Sequence, residues 1–136
     1  MTQFQLSTIH SQLSKGPLWN KSFALALRVV KLARYLNAEK KEYVLSKQLL
    51  RSGTAIGALV REAEHAESHA DFTHKMNIAL KEANETLYWL DLLHQSEDLS
   101  QNHYTSIYPE AEELVKLLVS IVKTSKKKPL KVENKK

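Results

Sequence analysis

The chain has 136 residues, no cysteine, only three glycines and three prolines, and a formal net charge of +5. The lack of cysteine excludes disulfides, thiolate catalysis and cysteine–zinc sites. The length suits one domain with a sizeable core, and a composition so poor in helix breakers favours helices throughout. No apolar run approaches the ~20 residues that span a bilayer. The N-terminus also lacks the pattern of a signal peptide, so we expect a cytoplasmic protein without membrane contact.

The positive charge is unevenly distributed along the chain. Residues 126–136 (KKKPLKVENKK) contain six lysines and one glutamate, which equals the whole net charge of +5. Before them, the part up to Arg61 has ten basic residues against two acidic ones, and Glu62–Ser125 has twelve acidic residues against four basic ones. Such a dipolar layout suits head-to-side self-association, a polyanion partner on the basic half, or both.

The first main helix is predicted at about Leu18–Asn37 and is apolar around most of its circumference. Its few polar positions include Arg28, Lys31 and Arg34, which recur at intervals of three and are interpreted as one narrow stripe. A helix with so much apolar surface needs more than one covering neighbour. We therefore favour a subunit interface on this helix over a central helix with snorkelling arginines.

The second and third helices are predicted to form a hairpin within Gln48–Leu93. In the first arm, small and apolar residues recur in steps of three and four, which indicates one buried stripe: Leu45, Leu49, Ser52, Ile56, Leu59, Ala63 and Ala66. Gly53 and Gly57 lie one turn apart in this arm, where each costs about 1 kcal/mol relative to alanine. A cost incurred twice predicts that another helix approaches closely at these glycines.

The second arm of the hairpin repeats the same periodicity. Its predicted buried stripe comprises Phe72, Met76, Ala79, Leu80, Ala83, Leu87 and Leu90. Ser68 is predicted to cap the helix, with Asp71 as a capping carboxylate in the first turn. Because the turn around Glu67–Ala70 contains neither glycine nor proline, we expect a tight connection between antiparallel helices.

A fourth helix is predicted at about Tyr104–Thr124, after the polar loop Gln95–His103. Pro109 would lie near its start, where proline is tolerated, and the predicted buried stripe is Ile107, Ala111, Leu114, Leu118 and Ile121. Four helices with short links predict an all-α, antiparallel up-down-up-down four-helix bundle. The predicted domain spans residues 18–125, after a lead-in at 1–17 and before a disordered lysine-rich tail at 126–136.

No stretch of the sequence predicts a catalytic site, so we expect a protein that is not an enzyme and uses no cofactor. Nucleophile elbows, phosphate loops and dinucleotide fingerprints are absent. A di-iron site would need inward carboxylates on the first helix, and none lies between Leu18 and Asn37. His65, His69 and His74 cluster near the second turn, where a solvated turn is favoured over an adventitious zinc site; no metal site is predicted.

The basic residues of the first two helices are the remaining candidates for function. They are Arg28, Lys31, Arg34, Lys47, Arg51 and Arg61. Such groups bind phosphate backbones non-specifically and with salt-sensitive affinity, although few aromatic residues lie among them for base stacking. Three alternatives stay open: an RNA- or DNA-binding surface, ordinary solvated charges, or a protein-interaction or scaffold module whose charged residues serve subunit assembly. We expect no small-molecule substrate.

An ordered string of motifs in the hairpin resembles the four-helix bundle proteins of the 23S rRNA intervening-sequence family. The string consists of QLLRSGTAIG from Gln48, then Arg61-Glu-Ala, Asp71-Phe72, and IALKEANETLYWL from Ile78. The preceding stretch at 22–35 is also similar to the family's first helix, so the resemblance covers about residues 20–122. One departure is Leu59, which stands where many members have asparagine.

This resemblance implies an antiparallel four-helix bundle that assembles into a homopentameric ring. The family is similar to the accessory proteins of diversity-generating retroelements, which form such rings and bind nucleic acid. The resemblance implies no enzymatic activity. Arg51, Arg61 and Lys81 lie on family motif positions. Glu82 and Glu85 do as well, and as an alternative they would pair with these cations across a subunit interface.

Overall fold

The structure, a computed structural model, describes residues 16–127, and this part of the chain consists of four helices joined by short links. The helices are α1 (Pro17–Glu39), α2 (Leu45–Ala63), α3 (His69–Gln95) and α4 (Gln101–Lys127). Each helix packs on the next in the chain, and α1 also packs on α4, which closes the bundle. The all-α prediction is confirmed for the described residues.

The ends of the helices follow local signals in the sequence. Proline at the first position of α1 starts the helix, because its missing N–H has no partner there in any case. Ser68 caps α3 and accepts a hydrogen bond from the Asp71 N–H at 3.0 Å, while the Asp71 carboxylate accepts one from the Glu67 N–H at 3.1 Å. This reciprocal cap confirms the prediction for Ser68, and the hydrogen bond from Glu67 lowers the pKa of Asp71.

The fourth helix is longer than predicted at both ends. It begins at Gln101, so that Pro109 lies inside the helix and not near its start. Beside this proline, the Ser106 carbonyl accepts a hydrogen bond from the Arg28 guanidinium of α1 at 3.0 Å. Proline lacks an N–H, so the carbonyl four residues earlier, that of Thr105, loses its helical donor; the Arg28 guanidinium binds the next carbonyl along the chain and ties this turn of α4 to α1.

The helix also extends into the segment predicted as the tail. Lys126 and Lys127 are the last residues of α4, so the bundle ends two residues later than the predicted boundary at 125. The predictions for the lead-in and for the rest of the tail concern residues 1–15 and 128–136, which lie outside the described part.

The core consists of the stripes predicted from the periodicity, with small shifts at the edges. Leu45, Leu59, Leu80, Leu87 and Ile121 are only partly buried and pack against the core. The largest fully buried side chains come from all four helices and from the last link: Leu25, Val29, Leu36, Leu49, Ile56, Val60, Met76, Leu90, Leu93, Leu99, Leu114 and Leu118.

The two glycines of α2 both face α1, at different distances. A Cβ at Gly53 would lie 2.8 and 2.9 Å from the two γ-carbons of Val29, whereas a Cβ at Gly57 would lie 3.5 Å from the Ser22 carbonyl oxygen. The predicted close approach is therefore confirmed at Gly53. At Gly57 there is room for a methyl group, since this distance is an ordinary van der Waals contact.

Candidate nucleic-acid interface

Three of the six predicted basic residues, Lys31, Arg34 and Lys47, are exposed on α1 and α2 and have no carboxylate partner among residues 16–127. Lys31 and Arg34 lie on the second half of α1, and Lys47 lies in the first turn of α2. We call Lys31, Arg34 and Lys47 the basic face.

Arg28 does not share this surface, although the sequence placed it on one stripe with Lys31 and Arg34. Its guanidinium donates to Glu110 Oε2 at 2.7 Å and to Ser106 Oγ at 2.9 Å, both on α4. The spacing of these residues along the helix accounts for the difference. A step of three residues falls about 60° short of a full helical turn, so two such steps rotate the side chain by about 120°. Arg28 thus joins α1 to α4.

Arg51 is likewise engaged within the subunit. Its guanidinium donates to Glu82 at 3.0 Å and also to Glu85, both on α3. The hydrogen bond to Glu85 raises the pKa of Arg51, which keeps the guanidinium charged at any physiological pH. The predicted pairing with Glu82 and Glu85 therefore exists, but it links two helices of one chain and is not a contact between subunits.

Arg61 lies over aromatic rings of α1. Its guanidinium carbon is 4.7 Å from the centroid of the Trp19 ring and 5.1 Å from that of Phe23, both within the range of a cation–π interaction. Arg61 also borders an open depression of about 430 Å³ whose other lining residues are Glu62, His65, Glu67, Asp71 and Lys75. With charges of both signs around it, this depression is no dedicated anion site.

Part of the charge asymmetry is therefore neutralised inside the bundle. Besides the pairs of Arg28 and Arg51, Lys21 of α1 lies 3.2 Å from Glu113 of α4. Cations of the first half of the sequence thus pair with carboxylates of the second half at two contacts, between α1 and α4 and between α2 and α3. Such exposed pairs contribute little stability each, but they leave the three cations of the basic face, and Arg61, without a carboxylate partner among residues 16–127.

The three histidines near the second turn differ in their exposure: His65 and His74 are exposed, whereas His69 is not. His69 is half-buried, and its Nε2 lies 2.7 Å from the Ser125 carbonyl oxygen of α4; the Ser125 hydroxyl also bonds to Thr73. The prediction of a solvated turn was wrong for His69, because α4 is three residues longer than predicted at this end and covers it. Within residues 16–127, no three potential metal-ligating side chains converge.

A second polar cluster lies where α3 meets α4. The Tyr104 hydroxyl donates to Asp91 Oδ1 at 2.6 Å, and the Tyr104 ring stacks on His94 at 4.1 Å. The hydrogen bond to Asp91, with burial, raises the pKa of Tyr104 to about 12, and burial raises that of Tyr108. Because the folded-state pKa of Tyr104 exceeds its ordinary value of 10.0, the stabilisation is complete below pH 10 and is lost as the pH rises toward 12.

This cluster gives a spectroscopic prediction. In an ultraviolet titration of tyrosinate, we expect one tyrosine to ionise near pH 12, and this step should be missing in Tyr104→Phe. In Asp91→Asn the step should move to lower pH, because the neutral amide no longer disfavours the tyrosinate. The exposed Tyr88 provides the control, since Tyr88→Phe should leave the late step in place. A late step that persists in Tyr104→Phe would contradict the assignment.

Several large apolar side chains stay exposed on the bundle. Phe23 and Leu27, one turn apart on α1, are 49% and 48% exposed, as expected for the excess apolar surface of this helix. A second exposed group, which was not predicted from the sequence, lies in the link between α1 and α2, where Tyr43 and Val44 are 59% and 72% exposed. The available signal was an aromatic residue two positions after the lysine pair Lys40-Lys41.

None of the described helices is long and apolar enough to cross a membrane.

Comparisons with known proteins agree with this architecture. A family model described as 23S rRNA-intervening sequence protein matches residues 15–120. A crystal structure of a protein with unknown function from the S23 ribosomal protein family of Bacteroides thetaiotaomicron is 55% identical, with a TM-score of 0.76. That similarity covers 78% of this chain and 95% of the other. No curated protein matches the chain.

The family model spans most of the chain, and it includes the hairpin motifs, the basic face and all but the last turns of α4. The resemblance seen in the sequence is thereby confirmed, and the chain belongs to the 23S rRNA-intervening sequence protein family.

Proposed function

We propose that this protein is a non-catalytic, cytoplasmic bundle of antiparallel up-down-up-down helices, which assembles into a homopentameric ring and binds RNA or DNA. The observation that carries the nucleic-acid part is the basic face. Lys31, Arg34 and Lys47 are exposed and have no carboxylate partner among residues 16–127, whereas Lys21, Arg28 and Arg51 each have one. The name of the family also refers to an intervening sequence of ribosomal RNA.

The contacts narrow the set of candidate residues. Arg28 and Arg51 already donate to carboxylates of α4 and α3, and removing a cation from such a pair leaves a carboxylate without its partner. Arg61 is held by two aromatic rings. Unpaired surface cations have no such competing partner, so they exchange mobile counterions for phosphates most readily. We therefore assign phosphate contacts to the basic face.

The ring is proposed on separate grounds. Phe23 and Leu27 leave about half of their side-chain surface exposed on a helix whose opposite side is fully buried. In a ring of three or more subunits, each contact joins two different surfaces of the chain. An apolar α1 surface around Phe23 and Leu27 that packs against a different surface of the next subunit satisfies this requirement.

The nucleic-acid proposal predicts a specific loss of affinity. In the triple variant Lys31→Gln, Arg34→Gln and Lys47→Gln, we expect weaker binding to a labelled single-stranded oligonucleotide. The slope of log affinity against log salt should fall by about 2, because each lost phosphate contact contributes ~0.7 for single strands. Fluorescence anisotropy across a salt series measures both quantities.

The chain offers a matched control for this experiment. Lys81, Lys116 and Lys123 are exposed on α3 and α4, and their joint replacement by glutamine removes the same charge. This control should keep the wild-type slope. Equal losses in the two triple variants would mean that only net charge matters and would refute a binding surface on α1 and α2. The mass in solution, measured in the same buffer, shows whether the assembly is intact in each variant.

The second candidate is a protein-interaction module whose charges serve assembly. It is favoured by the exposed apolar pair on α1, and by the use of Arg28 and Arg51 as structural cations. It predicts that an intact oligomer binds neither RNA nor DNA at physiological salt once the tail lysines are replaced by glutamine.

A further inference from the structure

We propose that the link between α1 and α2, Lys40–Val44, is a contact point for single-stranded nucleic acid, at which the Tyr43 ring stacks on a base while nearby cations contact phosphates. This inference rests on the proposed function and deepens it, because it names single strands as the substrate class. The following observations carry it.

The first observation is that the backbone on both sides of Tyr43 is fixed. The N–H of Glu42 donates back to the Leu36 carbonyl at 3.0 Å. The Glu42 carboxylate accepts hydrogen bonds at 2.7–3.1 Å from three consecutive backbone N–H groups, those of Val44, Leu45 and Ser46. These bonds supply the acceptors that the first turn of a helix otherwise lacks. The link is therefore a defined turn that ties the end of α1 to the start of α2.

The turn also contains a residue in an unfavourable backbone conformation. Lys41 has a φ of 55°, in the left-handed region where residues other than glycine and asparagine are uncommon. Its ammonium group donates to the Ala38 carbonyl at the end of α1. Non-glycine residues in this region persist where surrounding contacts hold them, and they concentrate at ligand-contact sites.

The second observation is the exposure of the ring that this turn presents. Tyr43 is 59% exposed, and within the described residues its ring has neither a hydrogen bond nor a ring contact. A tyrosine on a fixed backbone loses only the freedom of two side-chain torsions on binding, so it supplies contact area at low entropic cost. An aromatic ring of this kind is a stacking surface for any base, because every base has a π-face.

The third observation is the charge around the ring. Lys40 precedes the turn, and Lys47 follows it within one helical turn of the start of α2; both are exposed. Lys31 and Arg34 lie on α1 within about 12 Å of its end along the helix axis. The carboxylate of Glu42 is occupied by backbone N–H groups, which leaves Glu39 as the neighbouring exposed acid.

These observations together favour a single strand over other partners. In a duplex the bases are paired and stacked, and a surface tyrosine reaches them only at the ends. An apolar protein surface placed on Tyr43 and Val44 would bury the surrounding ammonium groups, which is costly without paired acids. A single strand offers an open base and mobile phosphates at once, the combination that stacking residues with a cationic surround recognise.

The experiment uses the full chain and compares Tyr43→Ala, Tyr43→Phe and Tyr88→Ala. The probes are a fluorescently labelled uridine homopolymer, the corresponding thymidine DNA strand, and a DNA duplex, followed by anisotropy across a salt series. We expect Tyr43→Ala to bind both single strands about five- to 150-fold more weakly, with an unchanged salt slope and unchanged duplex affinity. Tyr43→Phe should keep wild-type affinity. Tyr88 is the matched control, because it is 55% exposed but lies on the acidic half.

The possible results separate this inference from the proposed function. Wild-type affinity of Tyr43→Ala for single strands, or an equal loss for strands and duplex, would overturn the stacking role. If Tyr43→Ala failed in this way while the triple variant of the basic face still lost affinity, the proposed nucleic-acid binding would stand and only the stacking role of Tyr43 would be refuted. No binding of any probe by the wild-type chain would refute both, and would leave the exposed turn as a surface for protein partners.

Discussion

If the proposed ring forms, the double variant Phe23→Gln, Leu27→Gln is expected to be monomeric, with a mass of about 15.6 kDa. Both side chains are half exposed on the single chain, so their loss leaves the core of the subunit intact. In the proposed assembly the exposed half of each side chain would be buried, which contributes roughly 1 kcal/mol per residue, about half of the value for complete burial. Glutamine keeps the helix propensity of these positions but places an amide in the contact. Light scattering coupled to size-exclusion chromatography measures the mass.

The fold of the double variant must be shown to be unchanged. We expect a helical circular-dichroism spectrum close to that of wild type, because neither position packs in the core. Tyr88→Gln is the comparison variant, since it removes a similarly exposed ring from α3 and should leave the mass at its wild-type value. An oligomer that survives the double substitution would show that assembly uses another surface than this side of α1.

The substitution Gly53→Ala is expected to destabilise the bundle, whereas Gly57→Ala is expected to stabilise it. At Gly53 the new methyl group would meet both γ-carbons of Val29 at 2.8–2.9 Å. Valine is stiff at its first torsion, so the helices themselves must move apart, at a cost of about 1–3 kcal/mol. The gain in helix propensity of about 1 kcal/mol offsets only part of it. At Gly57 the same gain is expected without a clash.

Thermal unfolding of the two alanine variants measures this difference directly. Their free energies of unfolding should differ by roughly 1–3 kcal/mol, which corresponds to about 3–15 °C between their melting temperatures for a domain of this size. The variants share the same chemistry on the same face of α2, so each serves as the control of the other. Equal melting temperatures would contradict the close approach of α1 and α2 at Gly53.

The uneven distribution of charge along the sequence has two consequences in the structure: some cations form ion pairs within the chain, and others stay unpaired on its surface. The basic first half and the acidic second half were interpreted as surfaces for partners, but Lys21, Arg28 and Arg51 meet carboxylates of the same chain. The asymmetry therefore helps to join α1 to α4 and α2 to α3. The remaining exposed cations, which include Lys31 and Arg34, are the residues to which we assign contacts with a polyanion.

The sequence by itself determined the helices, their buried stripes, the cap at Ser68 and the family. These properties depend on the spacing of apolar residues and on hydrogen bonds within a few positions of the chain, so they can be predicted without knowing the neighbours. The glycine contact with α1 was also predictable, because its cost in the isolated helix indicated a tertiary reason.

Only the tertiary structure decided which cations are free. Arg28 is as polar in sequence as Lys31, yet Glu110 lies beside it only because α4 packs on α1, 82 positions further along the chain. The burial of His69 likewise depends on the last turn of α4, 56 positions away. The sequence does not specify such distant pairs, because they depend on how the helices are rotated about their axes. A rotation of one residue, about 100°, brings a different side chain to the neighbour.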